Sequence, residues 1–252
     1  MSEKNGHIDC SAEELTALAM LAGRSRFPGV SGAPFAGLAE GERDAVLRGA
    51  RRALAARGLV SIDDDGLVSV SAPYEDMMRV ALAPGVFVSA QRQTRQGGEI
   101  RLFLARPELG VEHRSPVPGI DRLTSFDPSE LLELVTKFVG VKARPSADGP
   151  AITTTIGELN HVRGGDSAKG SALGAIGASF VGSATVRCLH GRGRILGGEY
   201  AWVDAGDQGL WQLNLRLLDQ PEAPAESTEA VLTPTTAGSI VGELLRFLPA
   251  VA

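Results

Sequence analysis

Few residues in this sequence could carry out chemistry, and none of them stands at a spacing typical of an active site. The four histidines form no HxH or HExxH pair, the spacing on which metal sites built from histidine depend. The two cysteines, Cys10 and Cys188, form no CxxC pair and are separated by most of the chain. We therefore expect neither a metal nor another cofactor; the histidines are His7, His113, His161 and His190.

A catalytic nucleophile and a phosphate-binding loop are not predicted either. No GxSxG motif occurs, so no tight turn that exposes a catalytic serine is expected. Residues 165–171 contain a Lys and a Ser, but in the wrong order for GxxxxGK[ST]. The run Asp63–Asp65 is expected to form a turn, because a calcium loop needs a wider ligand pattern and a distal Glu. The sequence thus predicts a binding protein without enzymatic activity or a small-molecule substrate.

Composition narrows the class of protein further. The chain has 252 residues, 43% hydrophobic and 22% charged, which predicts one ordinary packed domain. Its net charge of −5 opposes a role in binding nucleic acid, since such proteins usually carry a strong basic excess. The polar start and the lack of a long apolar run predict a cytoplasmic protein without membrane insertion. A homodimer is compatible with these features.

Hydrophobic periodicity and capping residues predict the elements of the fold. Ser11 and Glu14 form a capping box that begins a helix. Asp127 and Pro128 begin another helix, since Asp caps and Pro suits the first turn. Apolar residues at helical spacing in Leu173–Phe180 are interrupted by glycines, which are expected to permit close packing. Further predictions are helices at 42–57 and 74–82, a hairpin at 59–70, strands at 86–91, 99–105 and 110–114, a polar turn at 92–98 and a linker at 140–150.

An internal repeat organises these elements. Gly97-Gly98-Glu99 recurs as Gly197-Gly198-Glu199, and both Val86 and Arg92 have counterparts 100 residues later. Each block then reaches an X-Pro helix start, Asp127-Pro128 or Thr233-Pro234, and an apolar helix, Leu131–Val139 or Ile240–Leu248. The repeat predicts an α+β fold in which one antiparallel sheet with flanking helices is built from two quasi-repeated, pseudo-twofold halves, residues 1–140 and 151–252.

The order of elements resembles that of EspG-like proteins, which are associated with type VII (ESX) secretion in actinobacteria. The resemblance covers most of the chain, although no first strand is recognised at its start. It is carried by the helix with Glu14, Leu15 and Leu18, the segment Leu54–Val60 before an acidic hairpin, the block Val86–Ala105, a second block with Trp202 and Trp211, and the final segment Thr233–Leu248.

The resemblance implies a cytoplasmic chaperone that recognises a helical protein heterodimer, either a PE–PPE pair or a WXG-like pair. In this family the partner contacts the loop after the first hairpin strand and the C-terminal helical region. The residues at those positions, and therefore the candidate partner-binding residues, are Arg92, Gln93, Thr94, Arg95 and Gln96 in the loop, with Ile240, Leu244 and Phe247 in the helix.

A winged-helix DNA-binding regulator is the alternative. Helix 42–57 carries several arginines and is followed by hairpin 59–70, which is the element order of such a domain. The negative net charge opposes this interpretation, and charge runs of this kind are usually solvated helix faces. The arginines concerned are Arg43, Arg48, Arg51, Arg52 and Arg57.

Overall fold

The structure is a computed structural model that describes residues 6–30, 35–65, 67–163, 171–190, 194–215 and 225–248. Its α-helices are α1 (Ala12–Leu21), α2 (Glu40–Ala56), α3 (Ala72–Leu82), α4 (Leu131–Val139), α5 (Ile156–Arg163), α6 (Ala172–Ala178) and α7 (Ala237–Phe247). Its strands are β1 (His7–Cys10), β2 (Val60–Ile62), β3 (Val68–Val70), β4 (Val86–Thr94), β5 (Gly97–Arg106), β6 (Leu109–Val117), β7 (Ile120–Phe126), β8 (Ile152–Thr155), β9 (Gly182–His190), β10 (Arg194–Asp204), β11 (Leu210–Leu215) and β12 (Glu229–Thr235).

Ten of these strands form one antiparallel sheet in the order β1-β7-β6-β5-β4-β9-β10-β11-β12-β8. Strands β4 and β9 meet at its centre, where Ala90 lies opposite Val186. Strands β2 and β3 form a separate hairpin. The predicted α+β fold, an antiparallel sheet with flanking helices, is therefore confirmed.

The strand order places five strands from each predicted half on either side of the contact between β4 and β9, which are themselves counted in the five. The spacing of 100 residues does not describe this centre, because Val86 begins β4 whereas Val186 is the middle residue of β9. The pseudo-twofold repeat and its two halves stay a prediction, since a strand order records connectivity and not the superposition of two halves.

The two faces of the sheet are covered differently. On one face, α4 and α7 pack over the centre, and their cluster includes Ala90 and Val186 together with Ile240 and Leu244. On the other face, two separate helical covers lie towards the two edges. We call α1, α2, α3 and segment 27–30 the first cover, and α5 with α6 the second cover.

Local signals explain the helices that the sequence predicts well. The Ser11 hydroxyl accepts from the Glu14 amide at 3.2 Å, and the Glu14 carboxylate accepts from the Ser11 amide at 2.9 Å, which confirms the capping box. Asp127 caps a short 3₁₀ turn that leads into α4, and Gly140 ends α4 in the left-handed conformation with φ of 67°.

Two predicted features are wrong. The polar turn at 92–98 is mostly strand, because Arg92–Thr94 belong to β4, Gly97 and Gly98 belong to β5, and only two residues connect them. Thr233-Pro234 does not begin a helix, since both residues lie in β12 and Thr236 caps α7. Pro234 is tolerated there because β8 pairs with β12 only as far as Leu232, so the proline has a neighbouring strand on one side alone.

Candidate partner-binding site

An open groove runs along the centre of the sheet between the first and second covers. Its floor is the central strand pair, on which Gln91 lies opposite Thr185 and Gln93 opposite Ser183. These side chains alternate with Ala90, Ala184 and Val186, which are buried under α4 and α7 on the opposite face. The central groove has a volume of about 590 Å³ and a floor without large apolar side chains.

Apolar residues line one side of the central groove. Ile156 begins α5, and Leu213 and Leu215 lie on β11, two strands beyond β9. Leu215 is 38% exposed. Asn160 on α5 adds an amide to the same wall. The groove thus combines a polar floor with an apolar wall, an arrangement suited to a partner segment with one polar and one apolar side.

A cross-strand ion pair lies at the end of the floor. Arg187 on β9 donates to Glu199 on β10 at 2.6 Å, and Glu199 also lines the groove. Both side chains retain access to solvent, with 63% and 34% exposure. Their opposite charges offset each other, so this pair gives the central groove no net charge that would select a highly charged partner.

The structure separates the residues of the predicted binding loop. Gln93, Thr94 and Arg95 line the central groove. Arg92 lies on the opposite face, where its guanidinium donates to the Phe138 carbonyl at 3.3 Å and stands 5.6 Å from the centre of the Phe138 ring. Gln96 is exposed at the tip of the turn, where its backbone amide donates to the Thr94 hydroxyl at 3.2 Å.

Arg95 crosses from the β4–β5 turn to the end of α6. Its Nε donates to the Phe180 carbonyl at 3.1 Å, and its Nη2 donates to the carbonyls of Gly177 at 3.2 Å and Ala178 at 2.9 Å. These carbonyls lie at or just beyond the C-terminus of α6, where a helix leaves acceptors unpaired. Arg95 is therefore engaged within the protein as well as lining the groove.

The C-terminal helix offers less surface than predicted. Ile240 and Leu244 are both 0% exposed in the cluster between α7, α4 and the sheet, so a partner cannot reach their side chains in the folded protein. Phe247 packs against the same cluster and is only partly exposed. The outward position of α7 is Leu245, which is 58% exposed. This helix covers the face opposite the central groove.

Sequence reasoning missed most of the groove residues because five elements, β4, β9, β10, β11 and α5, bring them together. Ser183 and Thr185 alternate with buried Ala184 and Val186, and this alternation is the one local signal for a strand with a polar face. Nothing in the sequence indicates that Leu213 faces the same space as Gln91.

Several reactive residues are accounted for by packing. His113 is 3% exposed; its Nε2 lies 3.0 Å from Asp121 and its Nδ1 lies 3.1 Å from the Pro28 carbonyl. Ser115 donates to the same Asp121 oxygen at 2.6 Å, so Ser and His both contact Asp instead of each other, and no nucleophilic triad forms. Burial by itself would raise the pKa of Asp121, but the hydrogen bonds from His113 and Ser115 lower it below its usual value.

The cysteines are buried and suited to packing. Burial raises the pKa of Cys10 to about 12 and that of Cys188 to about 11, so neither thiol is a ready nucleophile at neutral pH. Within the described ranges, no group of three His, Cys, Asp or Glu side chains is arranged to hold a metal ion. Residues 165–171, whose sequence does not match a phosphate-binding loop, lie almost wholly outside the described residues.

No helix in the described part of the chain is long and apolar enough to cross a membrane. The arginines of α2 lie on a helix whose other side, with Leu47, Ala50 and Leu54, is buried in the first cover. Arg57 is engaged within the protein, where it contacts Glu14 at 3.0 Å.

The chain has an EspG-like α+β fold. The chain is similar over 97% of its length to 97% of the Mycobacterium tuberculosis type VII secretion system chaperone EspG5, whose structure was solved in complex with a PE25–PPE41 dimer. The TM-score is 0.54 and the sequence identity is 16%, so the likeness is one of fold. No family profile matches the sequence, and no curated protein is similar to it.

Proposed function

We propose that this protein is a non-catalytic cytoplasmic chaperone of a type VII secretion system, which binds a helical heterodimer in its central groove. The observation that carries the proposal is the likeness in fold, over nearly the whole of both chains, to a chaperone bound to a protein dimer. The partner expected from the resemblance is a PE–PPE pair or a WXG-like pair.

The dimensions of the central groove support a helical occupant. The groove extends from β4 across β9 and β10 to its apolar wall on β11, which is three inter-strand spacings or about 14 Å. A single α-helix with its side chains is about 10–12 Å across. A groove of this width therefore accommodates one helix of a pair.

The chemistry of the groove supports an amphipathic occupant. Gln91, Gln93 and Thr185 offer donors and acceptors along the floor, whereas Leu213 and Leu215 offer apolar contact at the side. A helix with apolar residues directed to β11 and polar residues directed to β4 and β9 would pair with both.

The test begins with capture of the partner by the tagged protein from its own cytosol, followed by reconstitution from purified components. The groove variant is Thr185→Arg, which places a long charged side chain on the floor. The matched control is Leu245→Asp, which changes an exposed residue of α7 on the opposite face. We expect Thr185→Arg to lower the affinity for the captured pair about tenfold or more and Leu245→Asp to leave it unchanged.

Three other outcomes would count against the proposal. Failure to recover a helical pair would contradict the chaperone role itself. Normal binding by both variants would exclude the central groove as the site. Loss of binding by Leu245→Asp alone would move the site to α7, the helix that the resemblance indicated.

A further inference from the structure

Arg95 holds the second cover against the sheet through hydrogen bonds that reach from the central hairpin. The arginine lies in the two-residue turn between β4 and β5, and its three acceptors lie in residues 177–180. The turn itself is fixed, because the Thr94 hydroxyl donates to the Gly97 carbonyl at 3.1 Å and accepts from the Gln96 amide. A rigid turn thus presents the guanidinium to the end of α6.

Arginine suits this position because of its charge and its shape. The C-terminus of a helix carries partial negative charge and unpaired carbonyls, which a nearby cation stabilises. The planar guanidinium directs Nε and Nη2 at different carbonyls at once, which the single ammonium of lysine does not reproduce. The contact therefore depends on the geometry of arginine in addition to its charge.

The second cover is small, and its other contacts include backbone hydrogen bonds from the Ile156 amide to the Thr228 carbonyl and from the Val181 amide to the Asp204 carbonyl. Helix α6 has only seven residues, and it packs tightly on α5, where the Val162 carbonyl would lie 2.9 Å from a Cβ added to Gly177. Phe180, which follows α6, is 5% exposed and packs in the cluster beneath the cover. Ile156, Asn160 and Phe180 belong to this cover or follow it directly, and they line the central groove beside Arg95.

We propose that Arg95 is a positioning residue, which fixes the second cover as a wall of the central groove and thereby sets the shape that the partner meets. The inference rests on the proposed function as far as the partner is concerned, but the contact with α6 is a property of the free protein. It assigns Arg95 a different role from the direct partner contact that the resemblance implies.

The first experiment measures hydrogen exchange in residues 171–181 of the free protein. The variants are Arg95→Ala and Arg95→Lys, and the control is Gln96→Ala, which changes the exposed neighbour in the same turn. Both Arg95 variants are expected to speed exchange in this segment by about tenfold, as the loss of a charge-assisted hydrogen bond would. Gln96→Ala is expected to exchange like the native protein. Native exchange in Arg95→Ala, or in Arg95→Lys, would overturn the proposal.

The second experiment measures affinity for the captured helical pair. A positioning role predicts that Arg95→Lys and Arg95→Ala lose affinity to a similar extent, because both lose the fork that holds α6. If Arg95→Lys binds like the native protein while Arg95→Ala does not, Arg95 acts through its charge on the partner and the inference is overturned. If no helical pair binds even the native protein, the proposed function fails, and hydrogen exchange alone still decides whether Arg95 holds the cover.

Discussion

The two covers lie on the same face of the sheet, yet they are built on different scales. Beneath the first cover, 19 of the described residues form one buried cluster, drawn from three helices, segment 27–30, Leu59 and strands β1, β2, β5, β6 and β7. The second cover buries a described cluster of eight residues beneath two short helices. Since burial of apolar area is the main favourable term in folding, the first cover carries the larger share of the stability on this face.

The kind of contact differs as well. The first cover is fastened by buried groups within its core, such as His113 between Asp121 and the Pro28 carbonyl. The second cover depends on a close glycine contact between α5 and α6 and on Arg95, which reaches it from outside. A cover with a small buried cluster can adjust locally without unfolding of the sheet, and binding surfaces are often drawn from such regions of lower local stability. We therefore expect the wall of the central groove that the second cover forms to change its shape more readily than the rest of this face.

Matched leucine truncations should give the largest effects. Leu54 on α2 and Leu159 on α5 are 0% and 1% exposed. Leu54→Ala is expected to lower the free energy of unfolding by about 2–5 kcal/mol, because it opens a cavity in the larger cluster. Leu159→Ala is expected to cost less in global unfolding and to show itself chiefly as faster exchange in α5 and α6. Denaturant titration and hydrogen exchange measure the two effects, and equal losses of global stability would contradict the comparison.

A pair of glycine substitutions tests the covers without removing apolar groups. Gly177→Ala puts a methyl group against Val162, so it should force α5 and α6 apart at a cost of about 1–3 kcal/mol. Gly49 lies in α2 with nothing within 4 Å of an added Cβ. Gly49→Ala is expected to stabilise the protein by up to about 1 kcal/mol through helix propensity. Thermal unfolding of the two variants gives the measurement, and an unchanged melting temperature in Gly177→Ala would contradict the close contact.

The elements that sequence predicted best are those with local signals. The capping box of Ser11 and Glu14 and the Asp127-Pro128 start identify α1 and α4 because each signal needs only neighbouring residues. Strand β7 was missed because Asp121 occupies a buried position and interrupts the apolar alternation. Its burial is explained only by His113 on the next strand, which the sequence does not place beside it.

The candidate site was less accessible to sequence reasoning than the fold. Polar residues at 92–94 suggested a turn, whereas they belong to a strand on which Gln93 faces the uncovered centre of the sheet and Arg92 contacts α4 on the opposite face. The apolar pattern of Ile240 and Leu244 predicted a helix correctly, but it could not tell core from surface. The central groove depends on the register of β4 with β9, and such pairing between residues about 96 positions apart leaves no local signal.

Acid should weaken the β1–β7 edge of the sheet, on which the first cover packs, more than the second cover. The hydrogen bond from Arg122 lowers the pKa of Asp9 from 3.8, and hydrogen bonds also lower the pKa of Asp121 against the opposing effect of burial. A lowered pKa in the folded state stabilises the protein above the unfolded pKa of about 4, and this stabilisation is lost as the pH falls through the folded value. Glu158 lies at the start of α5 and is exposed. The hydrogen bond from the Thr154 hydroxyl is the main cause that lowers its pKa.

The measurement is denaturant unfolding from pH 6 to pH 2.5. Asp9→Asn is expected to flatten the loss of stability below about pH 4, because the variant no longer gains a proton on unfolding. Glu158→Gln should change the pH profile less, since its carboxylate is exposed. A steeper profile in Asp9→Asn than in the native protein would contradict the assigned sign.

The arginines on the outer side of α2 should give the smallest effects. Arg48 and Arg52 are exposed, and no ion pair holds either of them among the described residues. Arg48→Ala and Arg52→Ala are expected to change the free energy of unfolding by no more than about 0.5 kcal/mol, and to leave binding of the helical pair unaltered. The same variants test the DNA-binding alternative, which requires an affinity that falls steeply with salt, because binding releases the counterions of the DNA phosphates. If the native protein binds DNA in a salt-dependent way and these variants do not, the first cover has a binding function of its own. That outcome would contradict the assignment of recognition to the second cover alone.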